Sequence, residues 1–530
     1  MGSASPLLAA LMQPGAYGLS VRGPIEVVQT HISMLFFVDD LVYKVKKPVD
    51  MGFLDYTTLE ARQRFCAAEV RLNRRLAPAT YLGVEPVTRD PQGAIHVAGE
   101  GEVIDYAVKM RRLPAERMLD RMLQRGEIDN ALLDDLAALL ADFHERCPTG
   151  PGVEEFAAPD ELRRQVIETM DKLSPGGPVV SRIIHEHLRR WLLRFVDEHH
   201  DSLLRRQADG RIREGHGDLH AGNICLTEAG IVIYDCIEFT RRFRCRDVAC
   251  ELAFLAMDID HRGFPAFAAY LLKRYAVESG DDGMAEVADF YKVYLAVVRG
   301  MVASLKADDA DVTTSERDGA VAEARQYLNL AACSTLGPAL IVMCGLPGSG
   351  KSSAARAIAR PFGAAIHRSD VIRKELAGVR PDDHMHSEIY SGDMSERTYR
   401  TMLERCAADV RAGRTTIADA TFVKAAHREP FLAAARQLGV PGLFVWTRAD
   451  EETIRRRLAR RAGEAGEVSD ADWLVYQKLK AEFEPPGASW CITVEQETSG
   501  ETLGALVIER LIDIAYKDRA DGVFRRAPTP

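Results

Sequence analysis

Residues 34–38 form a short apolar run and 41–45 a second one with charge at alternate positions, on either side of the acidic pair Asp39-Asp40, and this pattern predicts a β-hairpin. Residues 58–76 carry apolar side chains at helical spacing and stop at Ala77-Pro78, where proline ends a helix. A further strand is predicted over 103–110, closed by Leu113-Pro114. The period is then helical over 116–144 and 179–196. Within this helical stretch lies a short β island, 215–225 and 231–239, before helices resume to about Leu305. A segment that breaks the surrounding pattern is where chemistry is expected.

The polar run 306–319 reads as a loop, 320–332 as a connecting helix, and Ser334-Thr335-Leu336-Gly337-Pro338 as a boundary. After it the text changes. A buried strand at 339–343, a glycine-rich turn and a helix begin a strand-helix alternation that continues through 415–418 and 442–446, the mark of a parallel sheet. The pattern therefore predicts an α+β bilobal domain over 1–310, a connector over 311–337, an α/β domain with a parallel sheet over 338–520 and a tail over 521–530.

Composition agrees with a division of this kind. At 530 residues the chain exceeds the roughly 250 to 300 at which single cores stop growing. Its 47% hydrophobic and 28% charged residues exclude a largely disordered or coiled-coil chain. The 68 basic and 78 acidic residues give a net charge of -10, which provides no global field for a nucleic-acid backbone or an anionic membrane. The apolar stretch 6–12 lacks the basic residues of a secretion signal, and no apolar run approaches the ~20 residues that span a bilayer. Ten dispersed cysteines fit a reducing compartment, so a cytoplasmic protein without membrane partners is expected.

The β island contains His216-Gly217-Asp218-Leu219-His220-Ala221-Gly222-Asn223, and Asp235 follows at the end of the next strand. Phosphoryl transfer needs parts in this order: an Asp to accept the acceptor's hydroxyl proton, then an amide and a carboxylate to hold Mg²⁺ against the phosphates. Asp218, Asn223 and Asp235 fill those places, although an Asx turn and a strand-ending Asp explain each one singly. Upstream, Lys44 lies on a hairpin strand where a phosphate-pairing lysine is expected, and Lys46 is the alternative for that part, because strand side chains repeat every two residues and it shares the face. A carboxylate on the following helix is expected to hold the lysine, Glu69 in preference to Glu60.

On these residues, about 25–310 resembles the aminoglycoside phosphotransferase group of kinase-like enzymes. The resemblance implies that Asp218 is the catalytic base, that Asn223 and Asp235 are metal ligands, and that the stretch from Met110 to Leu113 contacts adenine. One departure matters. Thr30-His31-Ile32-Ser33 stands where a glycine-rich loop would cover the phosphates, so backbone amides and hydroxyls are expected to take that part.

The second half opens on Gly345-Leu346-Pro347-Gly348-Ser349-Gly350-Lys351-Ser352, a complete G-x-x-x-x-G-K-[ST] between a strand and a helix. Lys351 is expected at the β and γ phosphates, Ser352 at Mg²⁺, and Gly345, Gly348, Ser349, Gly350 and Ser353 in the nucleotide cradle. Asp370 is a candidate base and Arg373 a candidate ligand for an anionic group, although a helix cap explains Asp370 equally well. Asp419 ends a strand and is a candidate metal residue. Arg455, Arg456, Arg457, Arg460 and Arg461 suggest either a lid, with Arg457 and Arg461 facing inward, or a solvated basic face. This half resembles the small P-loop kinases that include polynucleotide kinases, zeta toxins, gluconate kinases and adenylylsulfate kinases, a resemblance spanning about 338–485.

Together these features predict a bifunctional kinase with ATP and Mg²⁺ at two sites and a hydroxyl acceptor, either a small molecule or a nucleic-acid end. A nucleotide-sensing regulator, in which one domain binds ATP without chemistry, is the alternative from another class. Cys225, Cys236, Cys245 and Cys250 contain no C-x-x-C pair, so structural zinc is not expected.

Overall fold

A computed structural model describes residues 6–52, 54–309, 312–379, 392–461, 472–487, 491–495, 498 and 500–520. The chain divides into two compact units, residues 1–164 with 196–292, and residues 165–195 with 293–530. The division falls inside three helices, Pro159–Asp171, Arg182–Glu198 and Met284–Asp308. Residues 165–195 thus go with the second unit, an assignment that a linear reading of the pattern does not contain.

The first unit carries a six-stranded sheet of β1 (Glu26–Gln29), β2 (Ser33–Val38), β3 (Leu41–Lys46), β4 (Tyr81–Arg89), β5 (Ile95–Val97) and β6 (Glu102–Arg111). The spatial order is β1-β2-β3-β6-β4-β5, antiparallel at every pairing. Strand parity explains its two faces. Tyr43 and Val45 of β3 point into a core with Phe36, Val87 and Leu11. Val42 points the other way, into a core with Cys66 and Val70 of the helix Leu59–Asn73. Lys44 and Lys46 have the parity of Val42, so the alternation aims both lysines at that helix. Thr58 caps the helix by accepting a hydrogen bond from the Ala61 N–H at 3.1 Å.

The rest of this unit is mainly helical. Val248–His261 is buried almost all round, and Glu251 sits among its apolar residues. The β island is shorter than the pattern suggests: β7 (Ile212–Glu214) pairs with β10 (Cys245–Asp247), and β8 (Ile224–Thr227) forms a hairpin with β9 (Gly230–Ile233). Residues 215–220 are irregular, and the Gly217 and Asp218 N–H groups in them donate to the Glu251 and His216 side chains rather than to a partner strand. The helical run 116–144 is interrupted at Gly126, which ends one helix with φ +67°.

In the second unit β11 (Leu340–Cys344), β12 (Ala365–Arg368), β13 (Thr416–Asp419), β14 (Gly442–Arg448) and β15 (Cys491–Glu495) form a sheet in the order β12-β13-β11-β14-β15. All its pairings are parallel. Every residue of β11 is buried, as expected of a strand covered on both faces. Ile341 and Met343 pack with the helices Lys351–Phe362 and Gly500–Ala520, and Leu340 and Val342 with Gly392–Arg411 and Ala425–Gln437.

The predicted loop 306–319 is corrected at both ends. One helix continues to Asp308, and the next, Thr314–Thr335, starts well before residue 320. Its polar first turn is a capping box, in which the Thr313 and Glu316 side chains each bond the other's backbone N–H. The tail 521–530 lies outside the described residues. Among the described residues no helix is long and apolar enough to cross a membrane.

Candidate active sites

In the first unit Lys44, Glu69 and Asp235 meet at one point. The Lys44 Nζ lies 2.6 Å from Asp235 Oδ1 and 2.8 Å from Glu69 Oε1. Burial disfavours the Lys44 cation, but Asp235 and Glu69 outweigh it and hold its pKa well above the ordinary lysine value. Burial likewise raises both carboxyls, and the lysines overcome it, so Glu69 and Asp235 titrate below their ordinary ranges. The other oxygen of Glu69 accepts from Lys46 Nζ at 2.6 Å. Glu60, the alternative carboxylate, instead lines a separate cavity of about 660 Å³ with Asp50, Asp55, Arg64, Phe65 and Phe239.

The catalytic-loop candidates are held by side-chain bonds. The His216 Nε2–H donates to the Tyr234 carbonyl at 3.0 Å, and its Nδ1 accepts from the Asp218 N–H at 3.3 Å. Burial lowers the His216 pKa, which favours the neutral ring this arrangement needs. Glu251 accepts from the Gly217 N–H and, 2.9 Å away, pairs with His144 Nε2. The Asn223 amide donates to the Asp218 carbonyl at 3.0 Å and to Asp218 Oδ2 at 3.3 Å. Asp218 and Asn223 are thus brought together, and Asp235, held at φ +63°, keeps nearly half of its side chain exposed.

These groups suit a nucleotide with Mg²⁺. Asn223 spends its NH₂ on Asp218, which leaves its amide oxygen oriented as an acceptor, and Asp235 offers an exposed carboxylate. In the β1–β2 turn two of the expected groups are already engaged. The Ile32 and Ser33 N–H groups are both taken by the Thr30 hydroxyl, and Ser33 is buried. They are therefore not available as a phosphate cover. Met110 is buried between Val42 and Tyr81, and the N–H groups of Arg111 and Arg112 donate to Thr80 and Asp40 carbonyls.

In the second unit the glycine-rich turn follows β11 and leads into the helix Lys351–Phe362. Gly345, Gly348 and Gly350 have φ of +141°, +78° and +98°, in the region that favours glycine. A Cβ on Gly345 would lie 2.6 Å from the Thr447 carbonyl oxygen. Gly345 is thus packed closely against the end of β14, and the turn runs from a strand into a helix N-terminus, an arrangement that fits a phosphate site. Lys351 Nζ donates to the Leu346 carbonyl at 3.0 Å. Ser349 is buried, its hydroxyl 2.7 Å from that of Thr447 and its N–H donating to the Leu346 carbonyl at 3.2 Å. Ser352 and Ser353 stand in the helix's first turn, and the Ser353 hydroxyl accepts from Arg356.

The ends of neighbouring parallel strands carry the remaining candidates. Asp419 ends β13 in register with Met343 of β11 and Arg368 of β12. Asp370 follows β12 by two residues, inside the helix Ser369–Leu376 whose N-cap position is Arg368, so the cap explanation does not apply. Burial raises the Asp370 pKa, opposed in part by Arg373, Lys351 and Arg368. Arg373 Nη1 lies 3.4 Å from Asp370 Oδ1.

The arginine run does more than face solvent. Arg457 donates to the Gly348 carbonyl of the loop at 3.1 Å, and Arg455 lies over the Trp473 ring at 4.4 Å. The side chain of Arg461 lies outside the described residues. The four cysteines 225, 236, 245 and 250 are buried thiols, their pKa values pushed up by burial to about 11, 12, 11 and 11. Among the described residues no group of three or more His, Cys, Asp or Glu side chains is arranged as a metal cage.

Sequence reasoning missed Glu238, Tyr56, Tyr81 and Asn73, which brace the first site and belong to no short motif. Glu251 did leave a signal, a single acid in an otherwise apolar helix.

Comparison with known proteins places these sites in context. The pattern of the phosphotransferase enzyme family matches residues 57–290, and that of an AAA domain matches 340–486. An uncharacterized protein of Mycobacterium tuberculosis is 31% identical over 405 residues, covering 75% of this chain and 78% of that protein, and one of Mycobacterium bovis matches equally. Among solved structures, a choline/ethanolamine kinase family protein from Mesorhizobium loti aligns at 16% identity and TM-score 0.35, over 61% of this chain and 91% of its own. A gluconokinase from Sinorhizobium meliloti aligns at 22% identity and TM-score 0.25, over 35% and 96%.

Proposed function

Since the chain belongs to the same family as these mycobacterial proteins and is a phosphotransferase with a kinase-like domain and a P-loop kinase domain, we propose that it is bifunctional, with an ATP and Mg²⁺ site in each. Each site transfers a γ-phosphate to a hydroxyl acceptor, and a small molecule is the acceptor class that suits the acidic chain best. The observation that carries the reading is the meeting of Lys44, Glu69 and Asp235 in the first unit, beside an Asp218 oriented by Asn223.

In the first unit Lys44 binds phosphate, Asn223 and Asp235 are the metal ligands, and Met110 to Leu113 borders adenine. Bound Mg²⁺ supplies charge neutralisation on the phosphates. Asp218 accepts the proton of the acceptor hydroxyl at its carboxylate, and His216 and Glu251 hold its loop through backbone N–H groups. In the second unit the loop amides and Lys351 bind phosphate, Ser352 and Asp419 serve the metal, and Asp370 is the base. Arg373 orients Asp370 or an anionic group of the acceptor, and Arg457 braces the loop.

The test compares phosphorylated products formed in a cell extract by the unaltered chain, Lys44→Ala, Asp218→Ala and Lys351→Ala. One set of products is expected to vanish with Lys44→Ala and Asp218→Ala and a different set with Lys351→Ala, each by at least about 10²-fold. Full retention of every product in the three variants would overturn the two-site reading.

A further inference from the structure

Lys46, Glu238 and Tyr56 form a buried polar cluster beside the Lys44–Asp235 pair that the proposed transfer does not use. Lys46 is 1% exposed, and Glu69 and Tyr56 are completely buried. A lysine in such a place is tolerated only with charged partners, and Lys46 has two. Its Nζ donates to Glu69 Oε2 at 2.6 Å and to Glu238 Oε1, and lies 4.8 Å from the centre of the Tyr56 ring. The Tyr56 hydroxyl donates to the same Glu238 oxygen.

Glu238 lies three residues beyond Asp235, and the intervening backbone is tied down step by step. The Asp235 N–H donates to the Tyr81 hydroxyl at 3.2 Å and the Cys236 N–H to Asn73 Oδ1 at 2.8 Å. Arg244 Nη1 donates to the Ile237 carbonyl at 2.8 Å. Asp235 itself stands at φ +63°, a conformation that persists where the surroundings hold it. Glu238 is the far anchor of this segment, and Lys46 is the cation that joins it to the helix carrying Glu69.

We propose that Lys46 is a positioning residue, which by bridging Glu69 and Glu238 latches the segment 235–238 against the sheet and helix and so presets Asp235 at the cleft before nucleotide arrives. The value of that preset carboxylate rests on the metal role given to Asp235 above. Charge supports a specific part for the second lysine. Two lysines face three carboxylates, Glu69, Asp235 and Glu238, and each lysine contacts Glu69. Without Lys46, Glu69 and Asp235 compete for Lys44 alone, and Glu238 keeps only the Tyr56 hydroxyl among the bonds described for its carboxylate.

The test is hydrogen exchange of the nucleotide-free full chain, read by mass spectrometry over residues 231–243. In Lys46→Met and Glu238→Gln the amides of 235–238 are expected to exchange about tenfold faster or more with the rest of the unit unchanged, and Lys46→Arg to restore part of the protection. Should Lys46→Met fail to fold, Tyr56→Phe, which keeps both lysines, is expected to speed the same amides to a smaller extent. Unchanged exchange in the folded variants overturns the latch. A second readout is Mn²⁺ affinity by electron paramagnetic resonance with saturating ADP, in a Lys351→Ala background that removes the second site. About a tenfold loss in Lys46→Met is expected from a displaced ligand. Faster exchange with unaltered Mn²⁺ affinity upholds the latch and overturns the metal role of Asp235.

Discussion

Asp235 and Asp370 both follow the end of a strand in their own units, and their surroundings push them in opposite directions. Burial raises Asp235, but Lys44 at 2.6 Å outweighs it and keeps the carboxyl ionised, as a metal ligand requires. Burial dominates at Asp370, where Arg373 is farther, at 3.4 Å, and the pKa moves up from the ordinary aspartate value. A base acts only when deprotonated, so transfer by the second unit is expected to fall on its acid side at a pH above the ordinary aspartate range. Asp370→Asn is expected to lower that transfer by about 10²–10⁴-fold and to remove this acid limb, read as a pH–rate profile in an Asp218→Ala background. At this scale much of the site was legible, because a phosphate loop and an Asp-x-x-x-x-Asn run are short and local. What was not legible is the sharing of Glu69 by two lysines. Alternation gives the common face of Lys44 and Lys46, but only the packing of helix on sheet shows that one carboxylate reaches both.

Elements were readable where periodicity was clean and misread where polar residues had structural work. The β2–β3 hairpin follows from two short apolar runs about the acidic pair Asp39-Asp40, with charge at alternate positions in β3, and the helix after Thr58 from a period of 3.6. The strands β4 and β5 escaped because their burial pattern does not alternate regularly. The polar composition of 306–319 predicts a loop, whereas Thr313 and Glu316 are the reciprocal caps that begin a helix of 22 residues. That difference has a measurable size. Thr313→Ala removes the acceptor for the Glu316 N–H and is expected to cost about 1 kcal/mol, seen as a lower denaturation midpoint for the second unit, with phosphotransfer by the first unit unaltered.

For the whole molecule, the consequence lies in which segments each unit needs. A reading along the chain places a boundary at 334–338, since composition changes there, yet linear order carries no record of which distant helices pack together. The second unit draws in residues 165–195 and the helix Thr314–Thr335. Within it His187 bonds Thr335 Oγ1 at 2.7 Å through one ring nitrogen and the Tyr516 hydroxyl at 3.1 Å through the other, and Arg190 lies over the Tyr516 ring at 5.0 Å. The helix Gly500–Ala520, which carries Tyr516, also supplies Leu503, Val507 and Leu511 to the core beneath the phosphate loop's helix. A chain cut to residues 338–530 keeps the complete loop motif but loses both His187 and Thr335. It is therefore expected to melt at a lower temperature than the second unit does in the full chain, and to bind ATP more weakly as its last helix loosens. Adding back residues 311–337 restores Thr335 and is expected to recover only part of the difference, because His187 is still missing. Differential scanning calorimetry and ATP titration of the three chains check this. Equal melting and equal affinity would mean that the P-loop domain is self-sufficient without these helices.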